Sequence, residues 1–135
     1  MKTTFALALL FSCLTGLLMV SAAKNPFPIL EACMSENGVT LQDFEDIKSG
    51  KMQPENAKDN IKCATQCMFV KLGFMNDKGQ LNNEKILEFV PNAPLKAKMQ
   101  DALAACGNTV GANPCDTAFQ ILVCLDKQAG DMLNL

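Results

Sequence analysis

Histidine, arginine, tryptophan and tyrosine are all missing from this 135-residue chain. Without an imidazole, histidine-dependent catalytic triads, histidine general-base chemistry and imidazole metal sites are excluded, as is a histidine switch near neutral pH. Basic charge is also scarce. The 12 bases are all lysine and face 14 acidic residues, for a formal charge of -2. That balance argues against a nucleic-acid partner, which requires a concentrated basic patch. The length allows a single domain.

Long apolar runs are scarce too, with one exception at the N-terminus. Met1-Lys2 is followed by an apolar run from Phe5 to Val20, then by the small residues Ser21-Ala22-Ala23. This is the three-part pattern of a secretory leader over residues 1–23. Ser12, Thr15 and Gly16 interrupt the run, which argues against a membrane anchor. With Lys24 as first residue of the mature domain, 24–135, loss of Lys2 takes the formal charge from -2 to -3. No later run approaches membrane-spanning length, and no Asn-x-Ser/Thr sequon is present, so neither membrane insertion nor N-glycosylation is expected.

Cys13 leaves with the leader. Cys33, Cys63, Cys67, Cys106, Cys115 and Cys124 remain. An even number in a short secreted chain reads as three disulfides. Thiolate zinc sites want close cysteine pairs, often with histidine, and this spacing supplies neither. Six cysteines allow 15 pairings, and sequence alone does not choose among them. Cys63 and Cys67, four apart in a helical stretch, share one face and so reach outward to two other segments.

Prolines and glycines punctuate the mature chain. Pro28, Pro54, Pro94 and Pro114 stand where helices begin, and Gly38, Gly50, Gly73, Gly107 and Gly130 where they end. Between these marks apolar residues recur at three and four. Six helices follow, at about 28–36, 40–49, 54–72, 82–90, 94–106 and 114–129. Thr40 with Asp43 opens the second in the manner of a capping box, Asn82 or Asn83 opens the fourth, and Asn113 caps the sixth. Ala118, Phe119, Ile121, Leu122, Val123 and Leu125 leave the sixth helix almost no polar side, which predicts a central helix buried all round. Cys115 and Cys124 fall on its opposite faces and tie it to two neighbours. Asp77 and Glu88 have the spacing of a calcium loop, but Gly79 and Leu81 supply no ligating oxygens, so Asp77-Lys78-Gly79 reads as a turn.

The cysteine order leaves 29, 3, 38, 8 and 8 residues between successive members. With Ile61-Lys62-Cys63-Ala64-Thr65-Gln66-Cys67, Lys71-Leu72-Gly73-Phe74-Met75, Asp77-Lys78-Gly79-Gln80-Leu81 and Asn113-Pro114-Cys115-Asp116, it resembles the six-cysteine insect odorant-binding proteins, the pheromone- and general-odorant-binding family, over essentially the whole mature chain. The resemblance implies an all-α fold of six disulfide-stapled helices around an enclosed apolar cavity. It implies the pairing Cys33–Cys67, Cys63–Cys115 and Cys106–Cys124. It implies a non-enzymatic carrier, without cofactor or metal, that moves odorants, pheromones or fatty-acid-like molecules through sensillum lymph or another extracellular fluid. A small apolar ligand is the first partner expected, with an olfactory receptor or a homodimer contact as the macromolecular candidates. The alternative is a secreted interaction or defence protein of the same fold.

Small helical phospholipases need a His-Asp pair and a calcium loop, and the chain has neither. Its mature part holds six methionines and six phenylalanines, with few strong donors. That composition predicts an adaptable pocket for chain-like apolar ligands with a modest polar head. An odorant of about ten carbons offers gross burial of roughly 8 kcal/mol, and association entropy removes several, so micromolar affinity is the natural range. Candidate liners are Met68, Leu72, Phe74, Ile86, Leu87, Val90, Met99, Leu103, Phe119, Leu122, Val123 and Leu133, each weighed against ordinary core packing. Phe74 and Met75 follow Gly73, where they close one end. Met132, Leu133 and Leu135 on the tail fit either a lid over the cavity mouth or a frayed terminus.

Overall fold

The computed structural model describes residues 26–129. The leader at 1–23, the mature start at Lys24, and the tail from Gly130 to Leu135 with its liner Leu133 lie outside the described residues. Within them the chain forms six α-helices: α1 (Phe27–Asn37), α2 (Leu41–Lys48), α3 (Asp59–Lys71), α4 (Asn83–Phe89), α5 (Ala93–Cys106) and α6 (Pro114–Ala129). A 3₁₀ turn at Pro54–Asn56 precedes α3. None of these helices is long and apolar enough to cross a membrane.

Local chemistry sets the boundaries. α1 stops at Gly38, whose φ of 63° is the left-handed conformation that glycine adopts without penalty, and the Val39 N–H returns to the Met34 carbonyl at 2.9 Å. α2 opens at Thr40, whose backbone N–H and hydroxyl both donate to the Asp43 carboxylate. Asn82, Asn92 and Asn113 open α4, α5 and α6, each side-chain oxygen accepting a first-turn N–H, from Lys85, Leu95 and Asp116. α4 ends at Val90, extended ahead of Pro91.

Two expectations from sequence need correction. The single helix expected over 54–72 is broken. Ala57 and Lys58 are extended, with ψ of 133° and 156°, between the 3₁₀ turn and α3. The extended step turns Ala57 inward, where it is 8% exposed among the core residues. Core packing at that one alanine overrides the helical periodicity. The sixth helix is central but not buried all round, since Gln120, Lys127 and Gln128 are exposed. Its polar face is narrow and was outweighed by the run of apolar residues beside it.

Three disulfides fasten the helices: Cys33–Cys67 joins α1 to α3, Cys63–Cys115 joins α3 to α6, and Cys106–Cys124 joins α5 to α6. This is the pairing that the resemblance implies. Cys63 and Cys67 reach different helices, and α6 is held on two sides. The α3–α6 interface is the most extensive in the molecule, followed by α1–α3 and α5–α6.

The apolar interior falls into two clusters. One gathers Met75, Ile86, Met99, Ala102, Leu103, Cys106, Ala118, Ile121 and Leu125 between α4, α5 and α6. The other gathers Cys33, Met34, Val39, Ala57, Ile61, Ala64, Met68 and Phe119 between α1, α3 and α6. α6 supplies both, through Ala118, Ile121 and Leu125 on one face and Phe119 on the next.

Cys63–Cys115 closes the longest covalent loop, 52 residues. Replacing both cysteines by alanine is expected to lower stability by roughly 3–4 kcal/mol in the chain-entropy account. The measurement is the denaturant midpoint against that of the intact protein.

Candidate functional site

The predicted liners divide between the two clusters. Ile86, Met99 and Leu103 are buried in the α4–α5–α6 cluster, with Phe74, Leu87 and Val90 packed against it. Met68 and Phe119 are buried in the α1–α3–α6 cluster, with Val123 packed against it. Leu72 and Leu122 are only half-buried and belong to neither.

Leu72 follows the last turn of α3 and Leu122 lies on α6, the two helices whose mutual contact, the seam, is the most extensive in the molecule. At about 100° per residue, Leu72 falls on the stripe of α3 that carries Ile61, Ala64, Thr65 and Met68, and all four of these are buried. Leu122 falls on α6 between Ala118, which is fully buried, and Phe119, which is 3% exposed. A side chain with free surface on an otherwise buried stripe lacks packing partners on one side. Met68 is buried on α3, and methionine adapts to irregular gaps.

Sequence reasoning missed the aromatic wall at this end. Phe69 and Phe74 meet edge-to-face with ring centroids 6.3 Å apart, and Phe74 meets Phe89 at 5.5 Å and 80°. The row runs from Phe69, packed on the cluster, to Phe89, which is 49% exposed. Phe74 packs against the α4–α5–α6 cluster, and Met75 is buried within it. The chain is brought back there by a tight turn. Asn76 Oδ1 accepts the N–H groups of Lys78 and Gln80, and Met75 pairs with Leu81 in a single antiparallel bridge. The spacing of Phe69, Phe74 and Phe89 follows no helical period, because a turn separates them, so no sequence signal joined them.

A polar lock holds the seam from the side. Lys62 Nζ lies 2.9 Å from Asp116 Oδ1. Asp116 Oδ2 accepts the Ala112 N–H at 2.8 Å and the Gln120 amide at 2.8 Å. The pair stands beside Cys63–Cys115, so adjacent residues make a covalent bond and an ion pair between α3 and α6. The loop before α6 comes close enough that only glycine fits at Gly111, where a Cβ would stand 2.7 Å from the Thr117 backbone nitrogen. The Ala112 N–H, then the Lys62 ammonium, hold the Asp116 carboxyl below the usual carboxylate range, against a smaller upward push from burial.

Beside this lock an open recess of about 640 Å³ runs along the outward face of α6, past Asp116, Phe119, Val123 and Lys127. Phe119 and Val123 therefore border the recess as well as the core. A second open recess, of about 600 Å³, lies at the turn of residues 73–84, with Asn76, Gln80, Asn82 and Asn83 among its lining residues.

The sequence profile described as the PBP/GOBP family matches residues 18–128. General odorant-binding protein 56a of Drosophila melanogaster is 33% identical over 97 residues, covering 72% of this chain and 68% of that protein. Odorant-binding protein 10 of Aedes aegypti is 28% identical over 101 residues, 75% of this chain and 71% of that protein. Among solved structures, the fatty acid binding protein OBP56a from the oral disk of the blowfly Phormia regina superposes with a TM-score of 0.61 at 25% identity, over 79% of this chain and 90% of its own. The odorant-binding protein lmigOBP1 of Locusta migratoria gives 0.63 at 26% identity, over 80% and 79%.

Asp116→Asn is expected to destabilise the fold by about 1–3 kcal/mol at pH 7, since it leaves the Lys62 ammonium unpaired. Because the folded carboxyl titrates below its unfolded value, the unfolded chain takes up the proton first on acidification. The contribution is therefore whole above the unfolded value near ~4 and is lost as pH falls through the folded one. Denaturation curves from pH 7 to 3 check this: the gap between wild type and variant holds to about pH 5 and closes below pH 4.

Proposed function

This chain belongs to the PBP/GOBP family, and we propose that it is a secreted carrier that takes up small hydrophobic molecules in the α3–α6 seam and moves them through an aqueous body fluid. The observation that carries the reading is the free surface on Leu72 and Leu122, two half-buried leucines that adjoin the buried residues of α3 and α6. A chain-like apolar ligand between the two clusters would give these leucines the contacts they lack. Phe74, Ile86, Leu87, Val90, Met99 and Leu103 would form the wall toward α4 and α5. Leu133 belongs to the tail and would join only if the tail reaches the mouth.

Physical chemistry sets the selectivity. The seam borders apolar side chains, so discrimination by head group is weak and each additional buried methylene contributes about 0.8 kcal/mol. The leader pattern at 1–23 supports export, as does the oxidised state of all six cysteines within the domain. The blowfly neighbour, named for fatty-acid binding, supports a long-chain apolar ligand. Sensillum lymph is one fluid that fits. A receptor or a second copy of the chain would be the macromolecular partner.

The test is uptake of an apolar naphthylamine dye, followed by displacement with alcohols and acids of graded chain length. Wild type should take up the dye at micromolar concentration, with displacement strengthening by chain length. Leu122→Trp should fill the seam and weaken uptake at least tenfold while the helical circular dichroism persists. With no histidine present, uptake should be unchanged between pH 7 and 6. A folded, fully oxidised protein that takes up no dye would overturn the carrier reading.

A further inference from the structure

α2 is held to the rest of the molecule more loosely than any other α-helix. Resting on the carrier reading, we propose that residues 40–56 form a hinged door, which undocks while the remainder stays folded and admits ligand from the α1–α3–α6 side of the interior.

No residue of α2 is buried, and none is buried from Thr40 to Asn56. Each of the other α-helices places at least one residue in the core. The segment runs between two buried anchors, Val39 and Ala57. α2 shares in none of the more extensive helix interfaces, which join α3 to α6, α1 to α3, α5 to α6 and α4 to α5.

The hydrogen bonds of the segment are largely its own. Thr40 donates to Asp43 and Gln42 to Asp46. The Ser49 hydroxyl and the Met52 N–H both donate to the Asp46 carbonyl, and Lys51 pairs with the Asp46 carboxylate. Undocking breaks none of these. Against the interior the segment sets apolar side chains: Phe44, Ile47 and Met52 are partly buried on the α1–α3–α6 cluster. Elements with few buried apolar contacts open at the low end of the local-unfolding scale.

A hinge and a frame are both present. Gly50, just past α2, has a φ of 78°, and a Cβ added there would meet nothing within 4 Å. Glycine passes through such conformations without steric cost. Cys33–Cys67 ties α1 to α3 on either side of the two anchors, so those helices stay together when the segment leaves. The cluster it uncovers includes Met68 of α3 and Phe119 of α6, the two helices that meet at the seam.

Amide hydrogen exchange and stopped-flow uptake and release of the naphthylamine dye test the door on the full mature chain. An undocked helix of eight residues frays, being shorter than the roughly 12–15 that persist in water. In the ligand-free protein the amides of residues 45–48 should therefore exchange about tenfold or more faster than those of residues 64–68 and 118–122. Phe44→Ala weakens the docking. Gly50→Ala strains the closed hinge and alters no contact with the cluster. Uptake and release both pass through the open state, so each variant should speed both several-fold and leave affinity nearly unchanged. Phe44→Ala that speeds release alone would make Phe44 a wall of the ligand site and overturn the door. So would α2 amides protected as well as those of α3, or rates indifferent to both variants. Wild type that takes up no dye would sink the carrier reading and the door with it; uptake with unaltered rates would sink the door alone.

Discussion

The attachment of α3 to α6 is the constraint on which the rest of the molecule depends. It combines a covalent bond, Cys63–Cys115, with an ion pair one residue away, Lys62–Asp116, and the most extensive helix interface in the fold. Two helices fixed so firmly at one end need not be packed to full density along their whole length. A domain of this size has little apolar area to spare for holding open a gap, and cross-links that restrict the unfolded chain supply stability that does not come from packing. Leu72 and Leu122, half-buried on those two helices, accordingly retain free surface.

The other two disulfides set the outer walls. Cys33–Cys67 holds α1 against α3, and Cys106–Cys124 holds α5 against α6. α6 thus divides the interior, with Ala118, Ile121 and Leu125 serving one side and Phe119 the other. The same helix turns Gln120, Lys127 and Gln128 to solvent.

Much of this was legible from residue order. Proline, glycine and asparagine punctuation located the helices, because caps and turns are decided by neighbours in sequence, except that Pro54 put the start of α3 too early. Cys63 and Cys67 on one helical face announced two separate partners, and the family resemblance supplied which. The break at Ala57 was not legible, since it depends on the core that this alanine enters. The Phe69–Phe74–Phe89 row was not legible either, because a turn rather than a helical period brings the rings together. Nor was the network around Asp116 legible. Its bonds to Lys62 and to Ala112 join segments 54 and 4 residues away, and only the folded chain places them around one carboxylate.

The central claim is that the seam between α3 and α6 is under-packed and apolar. Xenon tests it most directly, since apolar voids stay dry and admit it. A crystal of the mature domain held under xenon pressure should show xenon between Leu72 and Leu122, beside Met68, with the three disulfides intact. A seam with no xenon and with both leucines in close contact across it would contradict the account.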